Sequence, residues 1–424
     1  MQDDKPVITV VGCGQVGFRT CILFAGKGYQ VFAADIDTEK VNKLNAGISP
    51  FNDDPYLEKF TGCKGSITAS TDVSGCCAKS DFVLVCVPTP LKQKSPDLTF
   101  LQNATRDIAS GLTRGATVIY ESTVHPGVIK RLIPILESSG LKLGEFGVAH
   151  CPERMDPGNR KFDIENTPRV IGASDRLTLQ KAKSLYEDVM SAPLYEVSNI
   201  ETAEACKLVE NTFRDVNIAF VNELATVFAD TEIDVKEVID AAATKPFAFL
   251  AHKPGPGVGG ECIPISPHWL MEFARTRGKE MPLVRKARDV NESMPAFVVG
   301  RLKNLMAGKG SELNGSSVLL LGLGYKPDSS DTRISPSRDI IRLLKQEGAS
   351  ICGCDPLLDN KMITEGFDIE PAKADSKADA AILVTAHNAF DRKMTKDLKV
   401  RFFLDACNRF AKNDFDGIEY AGLG

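Results

Sequence analysis

Residues 7–11, Val-Ile-Thr-Val-Val, are all β-branched and run directly into Gly12-Cys-Gly14-Gln15-Val16-Gly17 and an apolar stretch ending at Phe24. A second apolar run, Tyr29 to Ala34, closes on Asp35. This order demands a strand, a tight turn, a helix, a second strand and an acid. The glycines at 12, 14 and 17 permit the turn, close approach of a pyrophosphate and close helix packing. The helix N-terminus stabilises phosphate charge, and Asp35 accepts hydrogen bonds from a ribose diol. G-x-G-x-x-G alone is a weak sign, but here strand, helix and acid all stand where dinucleotide binding needs them. An acid at that strand end repels a 2′-phosphate, so NAD is expected rather than NADP.

The remaining texture supports this beginning. Strand-like runs at Phe82–Val87 and Thr117–Tyr120 alternate with helix-like stretches, which implies βαβ units and a parallel sheet. From Glu201 to Asp230 there is no Gly or Pro, and apolar residues recur at helical spacing. Such a helix would be a rod of about 45 Å, suited to a central spine or a subunit interface. Helical pattern continues at 234–243 and 267–307, interrupted by the glycine-rich loop 253–264, and Gly308–Gly315 reads as a linker. From Ser316 the βαβ texture returns, at Val318–Leu321, Ser350–Cys352 leading to Asp355, Ala380–Thr385 and Arg401–Leu404.

Composition removes several functions. With 51 basic and 56 acidic residues, net −5, the chain lacks the basic bias of a dedicated nucleic-acid binder. No apolar run approaches the roughly 18–20 residues that span a bilayer. The opening Met-Gln-Asp-Asp-Lys-Pro lacks the features of a secretory signal, so a cytoplasmic protein is expected. The twelve cysteines include no C-x-x-C, and the five histidines supply no H-x-x-x-H, so no metal site is expected. In a reducing compartment most of these thiols should be buried as small hydrophobes.

Three further segments each admit two readings. The loop Pro254-Gly-Pro-Gly-Val-Gly259-Gly-Glu-Cys262 is either a backbone nest for a ligand ending in a reactive thiol, or a plain turn with a passive one. Lys207, Asn211 and Arg214 share a helix face. They are either a solvated charged stripe, or a Lys–Asn pair that stabilises an oxyanion beside an arginine that binds phosphate. Tyr325-Lys326-Pro-Asp-Ser-Ser-Asp331-Thr-Arg333 follows a strand and Gly322-Leu-Gly324, with Pro327 where a third glycine would be. It is either a charged surface loop or a site gripping a nucleotide diphosphate through Lys and Arg.

Taken in order, GCGQVG, VPTP (87–90), ESTVHPG (121–127), CPERMDPG (151–158), EACKLVENTFRDVNIAFVNE (204–223), GPGVGGECIP (255–264) and GLGYKPDSSDTRISPS (322–337) resemble the UDP-glucose/GDP-mannose dehydrogenase family along essentially the whole chain. The resemblance implies an α/β fold: two Rossmann-like doubly wound parallel-sheet domains joined by a long central helix and a helical dimerisation domain. The expected boundaries are 1–195 for NAD binding, 196–307 for the central domain with the cysteine loop, and 308–424 for UDP-sugar binding. The implied reaction is a double oxidation of a nucleotide sugar at C6 with two NAD+, through a thiohemiacetal and a thioester on Cys262. By the same resemblance Lys207 is acid/base and oxyanion stabiliser, Asn211 assists it, Glu153 helps handle water, and Thr123 lies beside nicotinamide and substrate. Gly12, Gly14, Gln15, Val16, Gly17, Asp35, Lys40, Thr89, Thr123 and Arg333 are expected at the cofactor. Arg154, Met155, Lys207, Asn211, Arg214, Lys245, Gly259, Tyr325 and Lys326 are expected at the substrate, and a homodimer through the central helix is implied.

The motif Pro-Glu-Arg-Met-Asp-Pro-Gly with G-P-G-V-G-G-x-C-I-P is similar to the N-acetylhexosamine branch. Asp156 and the Lys245-Pro-Phe segment lean toward UDP-N-acetylglucosamine over UDP-N-acetylmannosamine. One departure concerns hydrolysis: Ser266 stands where the family usually has Asp, and Glu261 where this branch often has His. The expectation is that four-electron oxidation survives with slower thioester hydrolysis. The alternatives are UDP-glucose as substrate, a one-hydride dehydrogenase of related architecture that needs no cysteine, and a non-catalytic sensor of NAD or nucleotide sugar.

Overall fold

The computed structural model describes residues 5–51, 57–155 and 161–424, so Asp156 lies outside the described residues. The chain forms two compact units. One comprises Met1–Glu210 with His268–Lys279, the other Asn211–Pro267 with Glu280–Gly424.

The first unit is built on strands β1 (Ile8–Val11), β2 (Val31–Ala34), β3 (Ile67–Ser70) and β4 (Phe82–Val85). A small hairpin follows, β5 (Leu91–Lys92) and β6 (Ser95–Pro96), turning through Gln93 and Lys94 at positive φ. The sheet continues with β7 (Thr117–Tyr120), β8 (Gly147–His150), β9 (Arg169–Ala173) and β10 (Leu194–Glu196). Its order is β10-β9-β8-β7-β4-β1-β2-β3, with every neighbour parallel except β8 and β9. Strands β1, β4, β7 and β8 are buried throughout, as a sheet covered on both faces requires. The expected strand 82–87 ends at Val85, because Cys86-Val-Pro leads out into the turn that carries Thr89. Strands β3 and β8–β10 were not readable from the sequence. In β8, Gly147-Val-Ala-His150 mixes a glycine and a histidine into a fully buried position. Burial pushes His150 down to about 3, against an opposing interaction with the Tyr120 backbone, so it sits in the sheet as a neutral ring.

In the second unit β11 (Ser317–Leu321), β12 (Ser350–Cys354), β13 (Glu370–Pro371), β14 (Ala380–Leu383), β15 (Phe402–Asp405) and β16 (Glu419–Gly422) form a wholly parallel sheet. The order β13-β12-β11-β14-β15-β16 is the doubly wound arrangement of a dinucleotide fold, with two halves reversing direction beside β11. Val318, Leu320, Ile340, Leu344, Ile382 and Leu404 belong to its largest apolar core.

The long helix runs Ile200–Phe228, 29 residues, close to the expected span. The helical stretch expected over 267–307 is two helices, Ser266–Thr276 and Pro282–Ala307. Gly278 at φ +65° ends the first, and Pro282, which has no amide proton to lose, opens the second. Among the described residues no helix is long and apolar enough to cross a membrane.

Candidate active site

In the first unit the turn after β1 is fixed by what its glycines exclude. A Cβ on Gly12, which lies at φ +89°, would sit 2.9 Å from the Cys86 carbonyl oxygen, and one on Gly17 would sit 1.9 Å from the Gly12 oxygen. Gly14 differs, since a Cβ there would meet nothing within 4 Å. It is also the N-cap of the helix Gln15–Gly26, with no side-chain cap. The first amides of that helix, Gln15 and Val16 among them, have no acceptor within the helix and no side-chain cap, which suits a pyrophosphate.

Asp35 closes β2 and clamps this turn: its Oδ2 accepts from Cys13 N (2.7 Å) and Lys40 Nζ (2.8 Å), and its Oδ1 from Asp37 N (3.0 Å). One lone pair on Oδ1 is left for a ribose hydroxyl. Ile36 beside it is 76% exposed, an apolar face in water next to the ribose acid that sequence reading did not single out. These features fit NAD.

The Thr123 turn leaves β7 and is held at several points. Thr89 Oγ1 donates to the Thr123 carbonyl (2.7 Å), and Ser122 Oγ donates to the Val87 carbonyl (2.7 Å). Beneath it Glu121 accepts from Arg169 Nη1 (2.9 Å), the Tyr186 hydroxyl and Thr20 Oγ1 (3.3 Å). Neither Glu121 nor Arg169 stood out in the sequence, because their pairing spans 48 residues. Glu153 is buried and accepts from Met155 N, while Met155 is buried against Arg19. Arg154, expected at the substrate, forms a forked pair with Glu210 (Nη2 to Oε1, 2.6 Å; Nε to Oε2, 3.0 Å) and donates to the Pro168 carbonyl (3.0 Å). Lys207 is buried on the long helix.

In the second unit Cys262 is exposed, one turn ahead of the helix Ser266–Thr276. Its carbonyl accepts from Ser266 N (3.1 Å) and Ser266 Oγ (2.8 Å), and the same hydroxyl accepts from Asn211 Nδ2 (2.8 Å). Ser266 thus links the expected oxyanion amide to the backbone of the cysteine. The loop before it is less open than its glycines suggest. A Cβ on Gly259 would lie 2.4 Å from Tyr325 Cβ, and one on Gly260 would lie 2.8 Å from the Tyr325 ring. The Gly260 amide donates to the Arg333 carbonyl (3.0 Å) and the Gly255 amide to Asn222 Oδ1 (2.9 Å). These glycines are needed to pack the loop against Tyr325, and part of the proposed amide nest is already used within the protein. Arg333 pairs with Asp331 and Glu261; Asp331 first, then Glu261, holds its guanidinium protonated above its ordinary value. Glu261 is thereby engaged by Arg333. Arg214 is exposed, and Lys245 lies 5.0 Å from the Phe247 ring. Among the described residues no group of three His, Cys, Asp or Glu is placed to hold a metal ion.

Models of the UDP-glucose/GDP-mannose dehydrogenase family match residues 6–190 (NAD binding domain), 201–293 (central domain) and 319–412 (UDP binding domain). The chain belongs to this family. It is an NAD-dependent UDP-sugar dehydrogenase. The dehydrogenase is 34% identical to a UDP-N-acetyl-D-mannosamine dehydrogenase of Pyrococcus horikoshii, over 98% of this chain and 99% of that one. It is also 34% identical to a UDP-N-acetyl-D-glucosamine 6-dehydrogenase of Pseudomonas aeruginosa, over 94% of each chain. The solved UDP-D-ManNAc dehydrogenase of Pyrococcus horikoshii superposes with a TM-score of 0.88 at 32% identity, covering 98% of both chains.

Proposed function

We propose that this dehydrogenase oxidises C6 of a UDP-N-acetylhexosamine, with UDP-N-acetylglucosamine favoured, from alcohol to carboxylate in two steps. The observation that carries the reading is Cys262, exposed at a helix entrance and joined through Ser266 to Asn211. The Gly12–Gly17 turn and Asp35 would hold NAD+, which would supply the hydride acceptor for each of the two oxidations of the sugar carbon. Lys207 receives the C6 hydroxyl proton as the aldehyde forms. The Cys262 sulfur adds to that aldehyde, and Lys207 with Asn211 stabilises the oxygen that takes the negative charge. The second oxidation leaves a thioester; water adds to it, assisted by Glu153, and Cys262 departs as the uronate is released. Sulfur suits both roles, attacking readily and leaving readily. Arg214, Lys245, Gly259, Tyr325 and Lys326 hold the UDP-sugar, with Arg154 acting through its pair with Glu210. The preference for the N-acetylglucosamine epimer rests on Asp156 and Lys245-Pro-Phe.

With Ser266 donating to the Cys262 carbonyl and Glu261 paired to Arg333, neither supplies a free carboxylate to the thioester, which supports slow hydrolysis. The reading includes a cytoplasmic enzyme with functional divisions at 1–195, 196–307 and 308–424. It also includes a homodimer along the long helix. Val209, Phe213, Phe220 and Val227 are each at least half exposed and fall within about 40° of one another around the helix. A stripe of that composition suits a second copy of the same helix.

The test is NADH counted per sugar across UDP-N-acetylglucosamine, UDP-N-acetylmannosamine, UDP-N-acetylgalactosamine, UDP-glucose and GDP-mannose. Two NADH per UDP-N-acetylglucosamine, at the highest kcat/KM, are expected. One NADH with free aldehyde would overturn the double oxidation, and no NADH with any sugar would favour a sensor.

A further inference from the structure

The long helix carries a second buried group one turn before Lys207. Glu204 is fully buried, and its two oxygens accept from the backbone amides of Gly127 (2.6 Å) and Ile129 (2.9 Å). These amides open the helix Val128–Leu136, whose N-cap is Gly127 at φ +87° with no side chain to offer. Amides in a first helical turn lack acceptors within the helix. A carboxylate 75 residues away therefore fills the place a capping Ser or Asp would take. Thr123 is joined to Gly127 only by Val124, His125 and Pro126, all buried. Lys207 lies at i+3 from Glu204 and shares its helix face.

We propose that Glu204 is a positioning residue for the oxidation, holding the Thr123 segment and the helical turn of Lys207 in one frame through its two hydrogen bonds. The inference rests on the roles proposed above for Lys207 and Thr123. Only the ionised carboxylate accepts at both oxygens, because the protonated acid turns one of them into a donor facing an N–H. Burial pushes Glu204 up to about 7, against the pull of the two amides. The charges that act on it are Glu201 on its own helix, which raises it, and Arg131 on the capped helix, which lowers it. Lys207 follows on its own helix, Lys130 adjoins Arg131, and His125 in the joining segment interacts with Arg131 and with Glu272 on the helix after Cys262. Lys130 pairs with Glu201 (3.6 Å), so the two largely offset one another. Burial lowers His125 below its ordinary value, against its hydrogen bond to the Pro126 carbonyl.

The sign of the pH effect separates positioning from simple stabilisation. A carboxyl raised on folding contributes stability that is present below its unfolded value, about 4.3, and lost as pH rises to about 7. The clamp closes as pH passes about 7, at the upper end of that interval. Stability from this group should therefore already be falling before kcat begins to rise.

The experiment is kcat, KM and the kcat–pH profile of wild type, Glu204→Gln, Glu204→Asp and Lys207→Ala, with UDP-N-acetylglucosamine or whichever sugar of the panel is turned over best. Glu204→Gln is expected to lose about tenfold in kcat near pH 8.5, with both KM values within about twofold, and to lose the acid limb near pH 7. Trp269, the one tryptophan, packs on His125 with ring centroids 5.6 Å apart, so its emission should titrate near pH 7 in wild type and not in Glu204→Gln. Should Glu204→Gln fail to bind NAD+, Glu204→Asp replaces it. One methylene short but still charged, it should lose kcat and keep the limb. Wild-type kcat in either folded variant, or an unchanged limb in Glu204→Gln, overturns the inference. An inactive Lys207→Ala beside an unaffected Glu204→Gln overturns this inference alone, whereas an active Lys207→Ala overturns the role of Lys207.

Discussion

Replacing Glu121 by Gln or Arg169 by Met should reveal how strongly the Thr123 turn is anchored. The two side chains are 0% and 1% exposed and meet at 2.9 Å, with Arg169 stacked 5.1 Å from the Tyr186 ring. Removing one member of such a pair leaves a buried charge without its counter-ion, which costs about 3–5 kcal/mol. Removing both leaves an apolar methionine beside a neutral amide that still accepts from Tyr186 and Thr20, and should cost no more than about 3 kcal/mol. The coupling between the two changes should therefore be about 3 kcal/mol or more. Urea unfolding followed by Trp269 emission measures it, since Trp269 belongs to the same unit as both residues. With a slope of about 2–3 kcal/mol/M, each single change should lower the midpoint by roughly 1.5 M. Because Glu121 directly precedes Ser122 and Thr123, kcat should fall in the singles and recover in part in the double. A double variant as unstable as the sum of the singles would refute the pairing argument.

Gly17→Ala must displace the Gly12 carbonyl and should abolish NAD+ binding, whereas Gly14→Ala has room in the unliganded protein. It should fold normally and lose NAD+ affinity at least about tenfold by titration calorimetry; wild-type affinity would show that the pyrophosphate does not approach Gly14. Cys262→Ser should stop at one NADH per sugar with aldehyde trapped by a hydrazine, and two NADH per sugar would remove sulfur from the mechanism. Phe220→Glu should convert a dimer to monomers in sedimentation velocity, and an unchanged sedimentation coefficient would move the interface off the long helix.

The parts of this enzyme that sequence reading reached are those written in contiguous residues. The Gly12–Gly17 turn, Asp35 and the long helix depend on spacing within one strand–helix unit, and local sterics fix them. The contacts around the site are different in kind. Ser266 to Asn211, Glu121 to Arg169 and Glu204 to Gly127 join residues 55, 48 and 77 apart, and nothing in either segment announces its partner. The glycines near Cys262 were legible as special, yet for another reason: at Gly259 and Gly260 the close neighbour is Tyr325. Arg154 likewise stood out as a basic residue for the substrate, and in the fold its guanidinium lies against Glu210.

The acid after the second strand shows how one sequence sign can carry two meanings. In both sheets that strand ends on an aspartate whose Oδ2 accepts the amide following a positive-φ glycine, Cys13 N on Asp35 and Leu323 N on Asp355, each at 2.7 Å. Both glycines are also pressed on the neighbouring crossover, a Cβ on Gly12 falling 2.9 Å from the Cys86 oxygen and one on Gly322 falling 2.3 Å from the Thr385 oxygen. The clamp is thus a device of the turn itself. Ribose recognition needs something more, a carboxylate that a ligand can reach. Asp35 is covered by Lys40, a long side chain that can swing away, and keeps 9% of its side chain exposed. Asp355 has its side chain wholly buried against His387, whose Nε2 lies 3.1 Å from Oδ2 and whose Nδ1 accepts from Asp328 N. His387 and the amides of Leu323 and Leu357 hold Asp355 below the usual carboxylate range despite its burial. It therefore stays ionised as the anchor of its turn. Asp35→Ala should weaken NAD+ binding, while Asp355→Ala should act on UDP-sugar binding only through loss of the fold of its unit. A selective loss of UDP-sugar affinity in a well-folded Asp355→Ala variant would mean that the covered acid is reached after all.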